Sequence, residues 1–226
     1  MTEKSLTLKE KYILLNYHPE KGRILGNTSF FNLGLAGSIL LELAEKEKIK
    51  IEDKRIILVD SKKTFDVGLD VVTELMATVT KPRRVSFWIR RISRFGFVRS
   101  LRKTLLEELI SKKYLRKEEA RFLFFKYFKY IAVEKRTRNE LIKSIRETVL
   151  HKNETDKDVV LLSILIGPTR MVNRIFVWGE RRIARTRIKE ISKNNEIAKG
   201  LNDVIAAINA ALTASIAASA AASSGH

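Results

Sequence analysis

Apolar side chains first gather at Tyr12, Ile13, Leu14 and Leu15, a run closed by His18-Pro19-Glu20-Lys21-Gly22 and followed by Arg23-Ile24-Leu25. Proline and glycine around a charged centre predict a hairpin or tight turn there. Leu33, Leu35, Ile39, Leu40 and Leu43 then form a broad apolar helical face, with Thr28 or Ser29 as the expected cap. So wide a face places that helix centrally, and Gly34 and Gly37 would let a neighbour approach closely. The segment IKIEDKRIILV alternates and predicts paired strands about a charged turn at Glu52–Asp53. Helical spacing returns from Asp66 to Val79, with Val67, Val71, Leu75 and Val79 on one side, and Pro82 closes the unit.

Beyond Pro82 the pattern mixes charge and bulk. Gly96 is expected to divide two helical pieces, the second carrying the core stripe Val98, Leu101, Leu105 and Leu109. Glu118 to Val133 is an aromatic run of strand character, and Arg138–Leu150 and Val159–Ile166 read as helices before a Gly167-Pro168 turn. The last apolar stripe is Leu201, Val204, Ile205, Ile208, Leu212 and Ile216. Its alanines are weakly apolar and Asn202, Asp203 and Asn209 interrupt it, which favours a tightly packed interior helix over a membrane span. The pattern predicts a mainly α fold, amphipathic helices around a central hydrophobic bundle, with one or two short β-hairpins. A single domain over residues 1–218 and a loose tail over 219–226 are expected, since no linker or short repeat divides the chain.

Composition narrows the chemistry. The 226 residues are 45% hydrophobic and 31% charged, a globular balance. The absence of cysteine excludes disulfides, thiolate metal sites and cysteine nucleophiles. Three histidines without HxxxH or HxH spacing offer no metal site, and phosphate-loop, dinucleotide and GxSxG signatures are missing. Asp66 and Asp70, one helical turn apart, are read as complementing a helix dipole. The N-terminus has no long apolar core, so a cytoplasmic, non-catalytic protein without cofactor is expected.

Charge then supplies the functional reading. The net charge is +18, and all of it lies beyond residue 80: the first 80 residues hold 12 basic and 12 acidic side chains. Residues 81–103 contain nine Lys or Arg and no acid, interleaved with large apolar residues, among them Phe87, Trp88, Phe95 and Phe97. Such a field concentrates an anionic partner. Two classes compete. A winged-helix nucleic-acid binder fits the order helix, turn, hairpin over residues 105–133, but Glu107 and Glu108 on the helix would repel phosphate. A peripheral membrane protein fits better, because arginine forks bind phosphate oxygens and aromatics suit the headgroup layer. Arg99 and Arg102, three apart, stand together beside the core stripe, while Arg83, Arg84, Arg90, Arg91 and Arg94 supply attraction.

An ordered series of segments carries a resemblance: TSFFNLGLAGSILLELAEKEKIKI, RIILVDSKKTFDVGLDVVTEL, VRSLRKTLLEELISKKYLRKEEARFLFF and ELIKSIRETVL. Together with the ending INAALTASIAASAAAS, they resemble the Golgi phosphoprotein 3 family, in its prokaryotic-type form, from about Leu14 to Ser219. The resemblance implies a helical domain and a β-hairpin near Phe122–Val133 used in self-association and at the membrane. It also implies a phosphatidylinositol 4-phosphate pocket of one Trp and three Arg. Arg99 and Arg102 match the Arg-x-x-Arg pair of that pocket, whereas Asn27 stands at the Trp position and Ala36 at the third Arg. Phe31, or Phe30, would then supply the aromatic wall, and Arg90 or Arg91 the missing charge. The expected partner is an anionic phospholipid surface, with homo-oligomerisation through the hairpin and nucleic acid as the lesser alternative.

Overall fold

The computed structural model describes residues 5–122, 124–153, 156–193 and 201–223. Its helices follow from apolar blocks that the sequence repeats at helical spacing. α1 (Leu8–Asn16) and α2 (Thr28–Glu45) pack against each other, and α2 is buried from Phe30 to Ala44. α2 is therefore the axis of the domain. Around it lie α4 (Val85–Ile92), α7 (Lys157–Ile166) and α10 (Asn202–Ser223). Gly34 is needed for this packing, since a Cβ there would fall 2.0 Å from Tyr12 Oη. Asn27, rather than Thr28 or Ser29, caps α2: its side-chain oxygen accepts the Phe30 N–H at 3.1 Å.

Two small antiparallel sheets complete the fold. β1 (Ile49–Glu52) and β2 (Arg55–Leu58) pair as expected, through a turn in which Asp53 and Lys54 both have positive φ. That is the turn type whose twist suits a two-residue hairpin. A third strand, β3 (Arg83–Arg84), adds to β2. β4 (Leu115–Phe122) and β5 (Phe125–Ala132) form the aromatic hairpin. The remaining helices are α3 (Val67–Ala77), α5 (Phe95–Ser111), α6 (Arg136–His151), α8 (Val172–Ile175) and α9 (Arg181–Lys193), with a 3-10 turn at Trp178–Glu180.

Several expectations are corrected. α3 buries Leu69, Val72, Thr73 and Met76, while Val67 is exposed. The break between α4 and α5 falls at Ser93–Arg94, where Arg94 has extended backbone, so Gly96 lies inside the first turn of α5. α10 has the foreseen stripe, with Ile205, Ile208, Leu212 and Ile216 buried, but Ala206, Ala210, Thr213 and Ala217 face outward. It covers the core instead of lying within it, and it runs to Ser223, past the expected boundary at 218. Among the described residues, no helix is long and apolar enough to cross a membrane.

A buried ionic network ties α1, α2, α3 and α5 together. Lys9, with 0% exposure, donates from Nζ to Glu42 Oε2 at 2.9 Å and to Asp66 Oδ2 at 2.5 Å. Its backbone N–H also donates to Glu42 Oε1. Burial pulls the Lys9 pKa down, but Glu42 and Asp66 outweigh it and hold it above the ordinary lysine value. Beside it, Lys112 pairs with the buried Glu10 at 2.7 Å. Asp66 doubles as the cap of α3, accepting the Leu69 N–H at 3.0 Å, and Asp70 accepts both the N–H and the hydroxyl of Thr64. These two carboxylates are thus spent on structure.

Candidate functional site

The six residues singled out from sequence fall in three places. The first is the start of α5. Arg99 is exposed and its guanidinium lies 6.0 Å from the ring centre of Phe95, itself 73% exposed. Arg102 is half-buried. Tyr17 is pushed up to about 12 by burial, with the Arg102 charge pulling the other way, and Arg102 acts on Tyr130 in the same sense. Neither arginine has a carboxylate within ion-pairing distance among the described residues; the arginines that do are Arg116, Arg121, Arg136, Arg146 and Arg187.

The second place is the outer side of α4. Arg90 joins Arg55, Arg83, Arg84 and Phe87 around a shallow hollow of about 360 Å³. Arg83 and Arg91 lie 5.5 and 5.9 Å from the Phe87 ring centre, so the half-buried aromatic organises the cations around it. Trp88 beside it is buried core. Arg99 and Arg102 line neither this hollow nor the third place.

The third is a cleft of about 620 Å³ at the start of α2, where Asn27 and Phe31 do come together. Phe31 is buried, stacked on Tyr12 at 5.6 Å and edge-on to Tyr17 at 5.9 Å, so it forms a wall rather than a contact surface in solvent. The opposite wall is Thr169, Arg170, Asn173 and Arg174, from the turn after α7 and from α8. Arg170 lies 5.1 Å from the ring centre of Phe30. Its φ of +61° is left-handed, a conformation that a non-glycine residue keeps only where the surrounding turn fixes it. Here Arg170 N–H donates to Gly167 O and Met171 N–H to Ile166 O.

This geometry sits within a sequence already related to known proteins. The sequence pattern of Golgi phosphoprotein 3 (GPP34) matches residues 8–208. The chain belongs to the Golgi phosphoprotein 3 family. It is 30% identical over 139 residues to vacuolar protein sorting-associated protein 74 of Schizosaccharomyces pombe, a match spanning 53% of this chain and 41% of that protein.

For a Golgi phosphoprotein 3 family member, the arrangement adds side chains that the sequence reading did not single out. Arg170, in the turn after α7, and Arg174, on α8, lie four residues apart and both line the cleft. The four-residue spacing after the Gly167-Pro168 turn, with no acid beside it, is the signal that was there to use. The β4–β5 hairpin carries Phe124 at its tip, 99% exposed, with Tyr127 and Phe128 also exposed. Lys117 stands 4.0 Å from the Phe128 ring centre. Among the described residues, no three His, Asp or Glu side chains gather as a metal site.

Proposed function

We infer that this protein is a non-catalytic peripheral membrane protein that binds anionic phospholipid headgroups, with Arg99 and Arg102 as the phosphate-holding pair. The observation that carries the reading is Arg102: a half-buried arginine without a carboxylate partner among the described residues, beside an exposed arginine stacked on an exposed phenylalanine. A guanidinium left without a counter-ion at the edge of the core favours an incoming anion. Arg90 and Arg91 add attraction from α4, and Phe124 gives the hairpin an apolar tip for shallow insertion. Each basic residue near an anionic surface contributes about 1 kcal/mol, so this set suffices for reversible attachment. Family membership and the likeness to a vacuolar sorting protein support a trafficking-adaptor role. The helix–hairpin order that suggested a winged helix is accounted for by the family fold, and nothing favours base recognition.

Vesicle flotation tests this, comparing neutral, phosphatidylserine and phosphatidylinositol 4-phosphate vesicles, with duplex DNA as a control. Arg99→Ala with Arg102→Ala should weaken attachment by about tenfold or more. Unchanged flotation of the double variant, or tight DNA binding without lipid preference, would sink the reading.

A further inference from the structure

We propose that the loop between β2 and α3, residues 59–66, docks an acidic protein partner, with Phe65 as a rigid aromatic anchor and Lys62 and Lys63 as its charged rim. The proposal does not depend on the membrane reading above.

The backbone at Phe65 is the first observation. Its φ of +61° is left-handed, which strains a bulky side chain and suits glycine or asparagine. Among the described non-glycine residues with positive φ, six are charged and Phe65 alone is apolar. No packing within the fold offsets this strain, because the residue is 95% exposed. Val59, at the start of the loop, and Val67, just past its end, are exposed as well. A strained aromatic held in water with further apolar surface on its own loop points to a contact made outside the chain.

The loop is also fixed in place. Asp70 Oδ1 accepts both the N–H and the hydroxyl of Thr64 at 2.7 Å, and Thr64 Oγ1 accepts the Asp66 N–H at 3.2 Å. Asp66 is held in turn by the buried Lys9 and by the Leu69 N–H. Nearer β2, Lys48 Nζ bridges Asp60 Oδ2 at 2.6 Å and Lys62 O at 3.0 Å. Phe65 therefore stands between two tied residues, Thr64 and Asp66. A bilayer is fluid and gains nothing from an anchor of fixed direction, and the aromatics it favours at its interface are Trp and Tyr. A protein pocket has a fixed shape, and a pre-organised aromatic lowers the ordering cost of filling it.

Charge sets the sign of the partner. The nearby carboxylates are turned to internal bonds: Asp60 to Lys48 and the Lys62 N–H, Asp66 to Lys9, and Asp70 to Thr64. Lys62 and Lys63 are exposed and make no side-chain hydrogen bond or ion pair among the described residues. The surface around the ring is thus apolar and positive, the complement of an apolar pocket edged by Asp or Glu.

The full chain serves for the test. Phe65→Asn keeps the left-handed backbone without its strain, so its melting point should equal or exceed that of wild type. A lower melting point would show that the ring serves the fold, and overturns the proposal. Flotation on phosphatidylserine vesicles should be the same for wild type and Phe65→Asn; a loss makes the loop a membrane anchor and overturns protein docking. The photoreactive residue p-benzoylphenylalanine, placed at position 65 in living cells, should cross-link an acidic protein that the same group at the exposed Ile183 does not capture. With that protein purified, Phe65→Asn should weaken binding about thirtyfold, and Lys62→Glu with Lys63→Glu about tenfold. Absence of an adduct specific to position 65, a captured protein without net negative charge, or binding unchanged by Phe65→Asn would each overturn the assignment.

Discussion

Replacing Lys9 by Met should cost more stability than any other conservative change at a lysine in this chain. The side chain is fully enclosed, and its removal leaves Glu42, also buried, without its cationic partner, and Asp66 without its 2.5 Å bond. Uncompensated buried charge after loss of one partner costs about 3–5 kcal/mol. For a chain of this size that corresponds to a melting point lower by roughly 6–20 °C. The pH dependence has a definite sign. Because the folded Lys9 pKa is raised, its contribution is complete below the ordinary lysine value of 10.5 and is lost as pH rises through the folded value. Denaturant titration near neutral pH is the assay, run as a cycle with Glu42→Leu. The double variant should lose less than the two single losses combined, by about 1–3 kcal/mol, because the pair is removed together. A Lys9→Met protein within about 1 kcal/mol of wild type would refute the reasoning, as would strict additivity.

Gly34→Ala drives a methyl into Tyr12 Oη at 2.0 Å and Thr169 Cγ2 at 2.7 Å, so thermal denaturation should show a loss of at least about 1–3 kcal/mol. The Arg146 hydrogen bond chiefly holds the Glu180 carboxyl below its usual range; the stability it confers is present above the ordinary glutamate value and fades as pH falls through the folded one. Melting points of wild type and Glu180→Gln should therefore differ near neutral pH and converge in acid. Phe124→Ser should leave denaturation unchanged within about 0.5 kcal/mol and reduce vesicle flotation, separating the hairpin tip from the core.

The elements most legible in the sequence are those whose pattern needs no partner to interpret. α2 is apolar on nearly every side, so its central place follows from composition alone. The α3 face was misjudged for a definite reason. Val67, Val71, Leu75 and Val79 recur at four-residue steps, which drift around a helix of 3.6 residues per turn. The buried set Leu69, Val72, Thr73 and Met76 holds the period better but includes a threonine. Gly96 misled because glycine usually punctuates, yet a Cβ there would meet nothing within 4 Å. β3 consists of two arginines and offers no alternation to find.

The site was legible only in part. Arg99 and Arg102 could be paired because they lie on one helix. Asn27 and Phe31 were placed by resemblance to a family pocket, and the structure sets them opposite arginines that no local pattern connects to them. That juxtaposition is made by the packing of α7 on α2, a long-range contact that sequence spacing does not encode.

The distribution of ion pairs explains why a net charge of +18 need not be spread uniformly as attraction. Fully and partly buried lysines take up the carboxylates that hold the fold: Lys9 with Glu42 and Asp66, Lys11 with Asp158, Lys48 with Asp60, and Lys112 with Glu10. Within residues 81–103 the one ion pair among the described residues is Lys103 with Glu107, near the limit of contact at 3.9 Å. Every arginine from Arg83 to Arg102, together with Arg170 and Arg174, is left without a described carboxylate partner. Lysine loses much when buried unpaired, so pairing it inside is the stable choice. Arginine is more weakly hydrated and carries a planar fork, so it can wait at a surface beside aromatic rings and exchange water for phosphate at lower cost. The fold thus sorts one sign of charge into two uses, and the arginines of residues 83–102, with Arg170 and Arg174, are the part available to a ligand.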